Sequence, residues 1–452
     1  MTVQNAVAGL SVRSSEVVEA IMPRIRDAVG ERTRQDNPNI DLSTAENWLI
    51  RKELIEMYQE SIRKGDLAAR HFSYPLGFSG DPALITALSK FLNDYFNPHE
   101  PVQQSHIATA PGAASCLDAL LHTVCDPGDG VLVPGPYWNG FDFQFRVRAS
   151  VTPLVVNCPR FDDTFSSKLL PALEYAIANA TIPVKALVFT NPHNPLGQCY
   201  SRTVLEDCLR FCEQRNLHFI SDEVYAMSTL EPDMSSKNLS PFVSILSCDP
   251  ASVGCSPRRV HAIWSISKDF GSSGIRLGCT VSQHNPEVIV GVSLASNTQV
   301  SSLAATFTKS ILGSSSTPNL IALNRRRLSA AYAAITGWLR LNEFSYIPVS
   351  AGVFVFAKLG RDITTWDEEA LLVKRCKEAG VVVSAGRSYH GIESEKGWVR
   401  LTFAVEAEAL QEGLTRLSKA LGAFPPQGTR EPTSKNFFGL FWSRRFKGYF
   451  FQ

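Results

Sequence analysis

Ser265-Ile266-Ser267-Lys268-Asp269-Phe270-Gly271, continuing as Gly274-Ile275-Arg276-Leu277-Gly278, is the stretch on which the reading of this chain turns. The apolar run His261–Ser265 leads into a lysine flanked by small hydroxylic residues, and an arginine follows eight positions later. A lysine amine can form a Schiff base with an aldehyde. A serine hydroxyl and a guanidinium nearby can neutralise a phosphate. A lone lysine between serines is ordinary surface chemistry, but the combination of amine, hydroxyls, glycines and arginine is not.

Outward from this segment, short apolar runs alternate with helix-period segments. Strands are predicted at His106–Ala110, Val131–Pro134, Val151–Val156, Ala186–Thr190, His218–Ser221, His261–Ser265 and Leu277–Val281. Leu205, Cys208, Leu209 and Cys212 fall at i, i+3, i+4 and i+7, one face of a helix. Such alternation predicts an α/β fold with a mostly parallel sheet covered on both faces. Gly112, Asn191–Asn194, Asp222 and Lys268 each follow a predicted strand. In open α/β sheets ligands bind beyond the carboxyl ends of the strands, so these residues are expected along one edge. The last third reads differently, with strands at Ala351–Lys358, Val381–Ser384 and Trp398–Phe403. Leu410, Leu414, Leu417 and Leu421 then mark an amphipathic helix. Glu231 to Arg259, rich in Ser, Pro and Asp, reads as a surface excursion.

The motifs, taken in order, resemble those of class I/II aminotransferases, and more closely the 1-aminocyclopropane-1-carboxylate (ACC) synthase-like branch. Residues 265–276 resemble the family signature S-x-S-K-x-x-G-x-x-G-x-R. Asn191-Pro192-His193-Asn194-Pro195-Leu196-Gly197 is similar to N-P-x-N-P-x-G, and Ser221-Asp222-Glu223-Val224-Tyr225 to S-D-E-x-Y. Asp126-Pro127-Gly128-Asp129 with Val131–Trp138 resembles D-P-G-D-x-x-L-V-P-x-P-Y-Y, and Gly397–Ala404 resembles the G-W-F-R-V-C-F-A of the ACC synthases. Thr44-Ala45-Glu46-Asn47 is similar to their A-E-N-Q stretch.

The resemblance implies a pyridoxal 5'-phosphate (PLP) enzyme of fold type I, with a seven-stranded, mostly parallel large domain (71–310). Residues 1–70 and 311–424 would form a smaller α+β domain, and 425–452 a tail. It assigns Lys268 as the Schiff-base lysine and general base, and Asp222 as the acid facing the pyridine nitrogen. Asn194 and Tyr225 would hydrogen-bond the phenolic oxygen. Gly112, Ala113, Ala114, Ser265, Ser267 and Arg276 would hold the phosphate. Trp138, with Tyr137 second, would stack on the ring, and Arg400, Glu46 and Asn194 would meet the substrate. A homodimer with the active site at its interface is also implied. One position departs: where the family's tyrosine reaches the partner's cofactor phosphate, this chain has Phe78, which has no hydroxyl to donate.

The implied chemistry is an attack on the Cα–H bond of an amino acid. Transamination or elimination could follow. The alternatives are a C–S lyase giving an aminoacrylate, a true ACC synthase acting on S-adenosylmethionine, and a non-catalytic binding module on this fold.

The bulk numbers agree with a large cytoplasmic enzyme. The chain has 452 residues, 44% of them apolar, long enough for more than one domain. A net charge of +1 gives no general attraction to nucleic acid. The ten cysteines show no metal-ligand spacing, so buried thiols in a reducing compartment are expected and no metal site. No signal-peptide pattern or 18-residue apolar run is present. From Phe437 onward eight aromatics mingle with Arg444, Arg445 and Lys447, and no acidic residue follows Glu431. The composition of this tail suits contact with an anionic membrane, but packing on its own domain or a partner subunit is the favoured expectation.

Overall fold

A computed structural model describes residues 9–12, 14–20, 39–65, 67–232, 237–296 and 299–426. The basic-aromatic tail therefore lies outside the described residues, as does much of the N-terminal stretch.

Seven strands form the central sheet: β1 (Ile107–Ala110), β2 (Gly130–Pro134), β3 (Thr152–Val156), β4 (Val184–Thr190), β5 (His218–Asp222), β6 (Val260–Ser265) and β7 (Gly278–Val281). Their order is β1-β7-β6-β5-β4-β2-β3. β3, β2, β4, β5 and β6 pair in parallel, and β7 runs antiparallel to both β6 and β1. Side chains alternate between the faces along each strand. Leu132, Leu187, Phe189, Phe219 and Trp264 enter one core, and Val131, Val133, Ala186, Val188, Ile220 and Ile263 the other. Burial on both faces explains the near-continuous apolar runs in the sequence.

A third core forms around the 25-residue helix Thr317–Leu341, the helix Ala407–Leu421 and a four-stranded antiparallel sheet. Its strands are β8 (Ser345–Tyr346), β9 (Phe354–Lys358), β10 (Ser384–Ala385) and β11 (Trp398–Thr402), in the order β10-β11-β9-β8. The Leu410, Leu414 and Leu417 stripe is buried there, as its period requires. Ile40–Asp41 pairs in parallel with Val381–Val382, which ties the N-terminal segment to this third core.

Three expectations need correction. The run expected as one strand over Val381–Ser384 is split. Val381–Val382 pairs with Ile40–Asp41, whereas Ser384–Ala385 pairs with β11, because the chain changes partner at Val383. The run expected at Ala351–Lys358 begins only at Phe354, and Ala351 makes a single antiparallel bridge with Thr229. The excursion expected between Glu231 and Arg259 is partly core: Ser244, Ile245, Leu246 and Cys248 are buried.

The reason for the last correction is Glu223. This carboxyl is fully buried, and it accepts from Ser221 Oγ at 2.9 Å, Ser244 Oγ at 2.6 Å and Ile245 N at 2.7 Å. The excursion supplies the donors that a buried acid requires. Burial pushes the Glu223 carboxyl up to about 7, although Ser244, Ile245 and Ser221 oppose the rise. All ten cysteines are buried free thiols.

Glu223→Ala is expected to destabilise the protein by about 3 kcal/mol, because the buried donors at Ser244 and Ile245 lose their acceptor. Thermal unfolding monitored by circular dichroism checks this, and an unchanged transition would count against the anchoring role.

Candidate active site

Parallel pairing brings the chemistry to one edge. In register, Thr190 lies opposite Asp222, and Asp222 opposite Ile263. The chain therefore leaves β4, β5 and β6 on the same side, carrying Asn191–Asn194, Asp222 and Lys268. A cavity of about 430 Å³ opens there. Among the residues assigned from the sequence, Ala113, Ala114, Trp138, Asn194, Asp222, Tyr225, Ser267, Lys268, Arg276 and Arg400 line it.

Lys268 lies in the short helix Ile266–Asp269 that follows β6, with Ser265 as its N-cap. Ser265 Oγ sits 2.8 Å from both Ser267 Oγ and the Leu277 carbonyl oxygen. Asp269 anchors the other side of the lysine: it is buried and accepts from Met227 N at 3.0 Å, Ser228 Oγ at 2.7 Å and Trp264 Nε1 at 2.8 Å. Gly271 has φ +52°, and a Cβ there would fall 2.4 Å from the Asn47 carbonyl oxygen. Only glycine suits that turn. Lys268 Nζ donates to the Ala45 carbonyl oxygen at 2.6 Å. Burial, then the positive charge of Arg400, lower this amine to about 8.

Asp222 ends β5. Burial pushes its carboxyl up to about 7, against the opposing influence of Val224 N and Lys268. Its Oδ1 is buried and has no hydrogen-bond partner among the described residues. Tyr225 is buried, its phenol pushed up by desolvation, and it meets Phe354 edge-on at 5.4 Å.

Arg276, at φ +60°, donates to the Ser273 carbonyl at 2.6 Å and the Pro111 carbonyl at 2.9 Å. The guanidinium thereby spans the turn after β1. Gly112 has φ +90°, and a Cβ there would lie 2.5 Å from Arg276 Nη2. The helix Ala113–Val124 begins directly after Gly112. A helix N-terminus next to a guanidinium and two serines is an anion cradle.

On the opposite wall, Arg400 of β11 lies in register with Phe356 and Ser384. Its Nη1 donates to Asn194 Oδ1 at 2.9 Å and its Nη2 to the Ser43 carbonyl at 2.5 Å. With Oδ1 engaged in this way, the Asn194 NH₂ is left to donate elsewhere. The guanidinium lies over the Phe354 ring at 4.8 Å and the Tyr389 ring at 5.0 Å. Arg400 Nε is buried without a partner among the described residues.

Four assigned residues lie off the cavity wall: Gly112 and Ser265, which act behind it as described, and Tyr137 and Glu46. Tyr137 donates through its hydroxyl to Asp142 at 2.8 Å and stacks on His390 at 4.5 Å, leaving Trp138 as the indole on the lining. Glu46 accepts from Ser273 Oγ at 2.6 Å and from Arg51 Nη2 at 2.8 Å. Burial raises its carboxyl, but those two donors outweigh burial and hold it below the usual carboxylate range. Sequence reasoning gave no role to Ser43, Thr44, Gln144, Ser384 and Tyr389, which also line the cavity. It also missed Asp269, although that residue adjoins Lys268 in the quoted stretch.

The site fits pyridoxal phosphate on its own geometry. An acid with an unpaired buried oxygen, a buried amine with a lowered pKa, and a glycine-floored cradle under an arginine open into the same space. Fold and site together define a pyridoxal-phosphate-dependent enzyme of fold type I. The profile described as "Aminotransferase class I and II" matches residues 40–417, and the chain belongs to that family.

A "Probable aminotransferase aclI" of Aspergillus oryzae is 50% identical over 419 residues, covering 92% of this chain and 99% of that protein. A "Probable aminotransferase sirI" of Leptosphaeria maculans is 38% identical, covering 91% and 98%. The mouse "1-aminocyclopropane-1-carboxylate synthase-like protein 1" is 28% identical, covering 86% and 78%. Among solved structures, an aspartate aminotransferase variant from Thermus thermophilus aligns with a TM-score of 0.72 at 22% identity, over 92% of this chain and all of that one. That likeness shows the fold.

With a lowered pKa, more of the Lys268 amine is neutral at pH 7 than of a solvated lysine, and the neutral form is the nucleophile. Capture of pyridoxal phosphate by the cofactor-free protein is expected to speed up with pH and level off above about 8. Stopped-flow absorbance checks this; a rate still climbing toward pH 10 would contradict the lowered pKa.

Proposed function

We propose that the protein acts at the Cα of an amino-acid substrate, as an ACC-synthase-like aminotransferase working by transamination or elimination. The observation that carries this reading is one cavity lined by an amine, a buried acid and a buried guanidinium. When bound, pyridoxal phosphate supplies an aldehyde for covalent attachment and a pyridine ring that draws electrons from the substrate.

Each residue then has a task. Gly112, Ala113, Ala114, Ser265, Ser267 and Arg276 would hold the phosphate, and Trp138 would cover the ring. Asn194 and Tyr225 would donate toward the phenolic oxygen, and Asp222 would face the pyridine nitrogen and favour its protonated form. Arg400 takes the substrate α-carboxylate between its two terminal nitrogens, exchanging the Ser43 carbonyl for a charged acceptor. The neutral Lys268 Nζ would remove the Cα proton as general base. Glu46 acts on the substrate side indirectly, by holding Ser273 and Arg51. If 71–310 and the remainder to 424 behave as two domains, closure of the second brings Arg400 onto the substrate and expels water.

We further propose a homodimer joined through the segment around Phe72, Tyr74, Leu76 and Phe78. Phe72, Tyr74 and Leu76 are 86%, 83% and 95% exposed in the single chain, an apolar cluster of the kind found at interfaces. A cytoplasmic location is proposed on the ten reduced thiols. Among the described residues no helix is long and apolar enough to cross a membrane.

Lys268→Ala is expected to abolish turnover, and a variant with normal rate would remove the assigned base. Incubation with S-adenosylmethionine, cysteine S-conjugates, and common amino acids plus 2-oxoglutarate, followed by mass spectrometry, separates the reactions. A new amino acid marks transamination and pyruvate with ammonia marks β-elimination, whereas ACC marks the synthase; no product from any of them would sink the enzymatic reading. Phe78→Tyr is expected to slow loss of cofactor on dialysis, and unchanged loss would speak against a contact across the dimer.

A further inference from the structure

His390 and Asp142 form a polar contact that none of the assigned site roles uses. His390 Nε2 lies 3.0 and 2.9 Å from the two Asp142 carboxylate oxygens. Burial raises the Asp142 carboxyl, but the bonds from His390 and Tyr137 outweigh it and keep it low. Asp142 is thus an acceptor, and both His390 Nε2 and Tyr137 Oη donate to it. The Tyr137 ring stacks on the imidazole at 4.5 Å, and Tyr137 N donates to the Tyr389 carbonyl at 2.9 Å. Arg146 is the nearby cation that acts on Asp142 and Tyr137.

The two sides of this contact belong to different walls of the cavity. Asp142 lies in the helix Phe141–Val147, which carries Phe141 and Gln144 onto the lining just after Trp138. His390 ends the turn Gly386–Tyr389, after Ser384 and Tyr389. Tyr389 donates to Ser384 Oγ at 2.7 Å and presents its ring to the Arg400 guanidinium. His390 has φ +56°, a conformation that costs free energy for a residue with a Cβ. Such a backbone is retained where the surrounding contacts over-determine it.

We propose that the His390–Asp142–Tyr137 cluster is a latch joining the ring-stacking wall to the wall of the substrate-binding arginine, and that it fixes Tyr389 beneath Arg400. His390 and Asp142 are positioning residues, acting on the substrate side through Tyr389. The functional consequence rests on the reading of Arg400 as the carboxylate site. The latch itself does not, and the test needs no substrate.

The experiment compares Asp142→Asn, His390→Asn and His390→Gln in the full-length, pyridoxal-phosphate-loaded protein. Asparagine tolerates positive φ but is too short to reach Asp142, whereas glutamine sets an N–H at the same number of bonds from the backbone. Hydrogen exchange read by mass spectrometry is expected to accelerate about tenfold at Ser384–Tyr389 in Asp142→Asn and His390→Asn, with β4 and β5 unchanged. Labelling of Arg400 by phenylglyoxal is expected to accelerate in the same two variants, and His390→Gln to restore much of the protection. Unchanged exchange and labelling in both variants would overturn the latch. A rise that includes β4 and β5 equally would also overturn it, because the contact would then serve only general stability. Loss of turnover in an Arg400 variant with no effect of the latch variants would leave the proposed reaction standing without it.

Discussion

Parallel pairing of β4, β5 and β6 is the constraint on which the rest depends. With Thr190 opposite Asp222 and Asp222 opposite Ile263, three consecutive strands end nearly level. A shift of β5 by one residue would turn Asp222 toward the opposite face of the sheet, and a shift of either neighbour would displace the loops that follow it. The buried side chains on both faces, Phe189 and Phe219 on one and Val188 and Ile220 on the other, make that slip expensive. The placement of acid and amine is therefore a consequence of the hydrophobic core.

Burial does two opposite things to the charged groups at that edge. It raises Asp222 to about 7 and lowers Lys268 to about 8, each because a low-dielectric surrounding disfavours the ionised form. Two further contacts at that edge go to backbone carbonyls of one segment: Ala45 accepts from Lys268, and Ser43 from Arg400. That segment is shaped by Asp41, whose carboxylate accepts from Ser43 and Thr44 through both backbone and hydroxyl groups. The N-terminal loop thus crosses the cavity and touches both of the groups that would act on a substrate.

Much of this was legible in the sequence. Strands buried on both faces leave continuous apolar runs, so the centres of β1 to β7 could be read, with boundaries displaced by one or two residues. The gathering of Asn194, Asp222 and Lys268 at one edge was legible because they follow those runs directly. Changes of partner were not legible: nothing in Val381–Ser384 shows that its first half pairs with Ile40–Asp41 and its end with β11. Nor could composition reveal that Ser244 and Ile245 are drawn inward to satisfy Glu223. The orientation of Tyr137 depends on Asp142 and His390, the latter 248 residues away from Asp142, and that of Glu46 on Ser273, 227 residues along the chain. Such long-range pairings have no periodic signature.

The most direct test of the central claim is chemical. Borohydride reduces a Schiff base to a stable secondary amine, so treatment of the purified, pyridoxal-phosphate-loaded protein followed by peptide mapping locates the attachment. The account predicts a single reduced pyridoxyl adduct, on Lys268. An adduct on another lysine, or none at all, would contradict it.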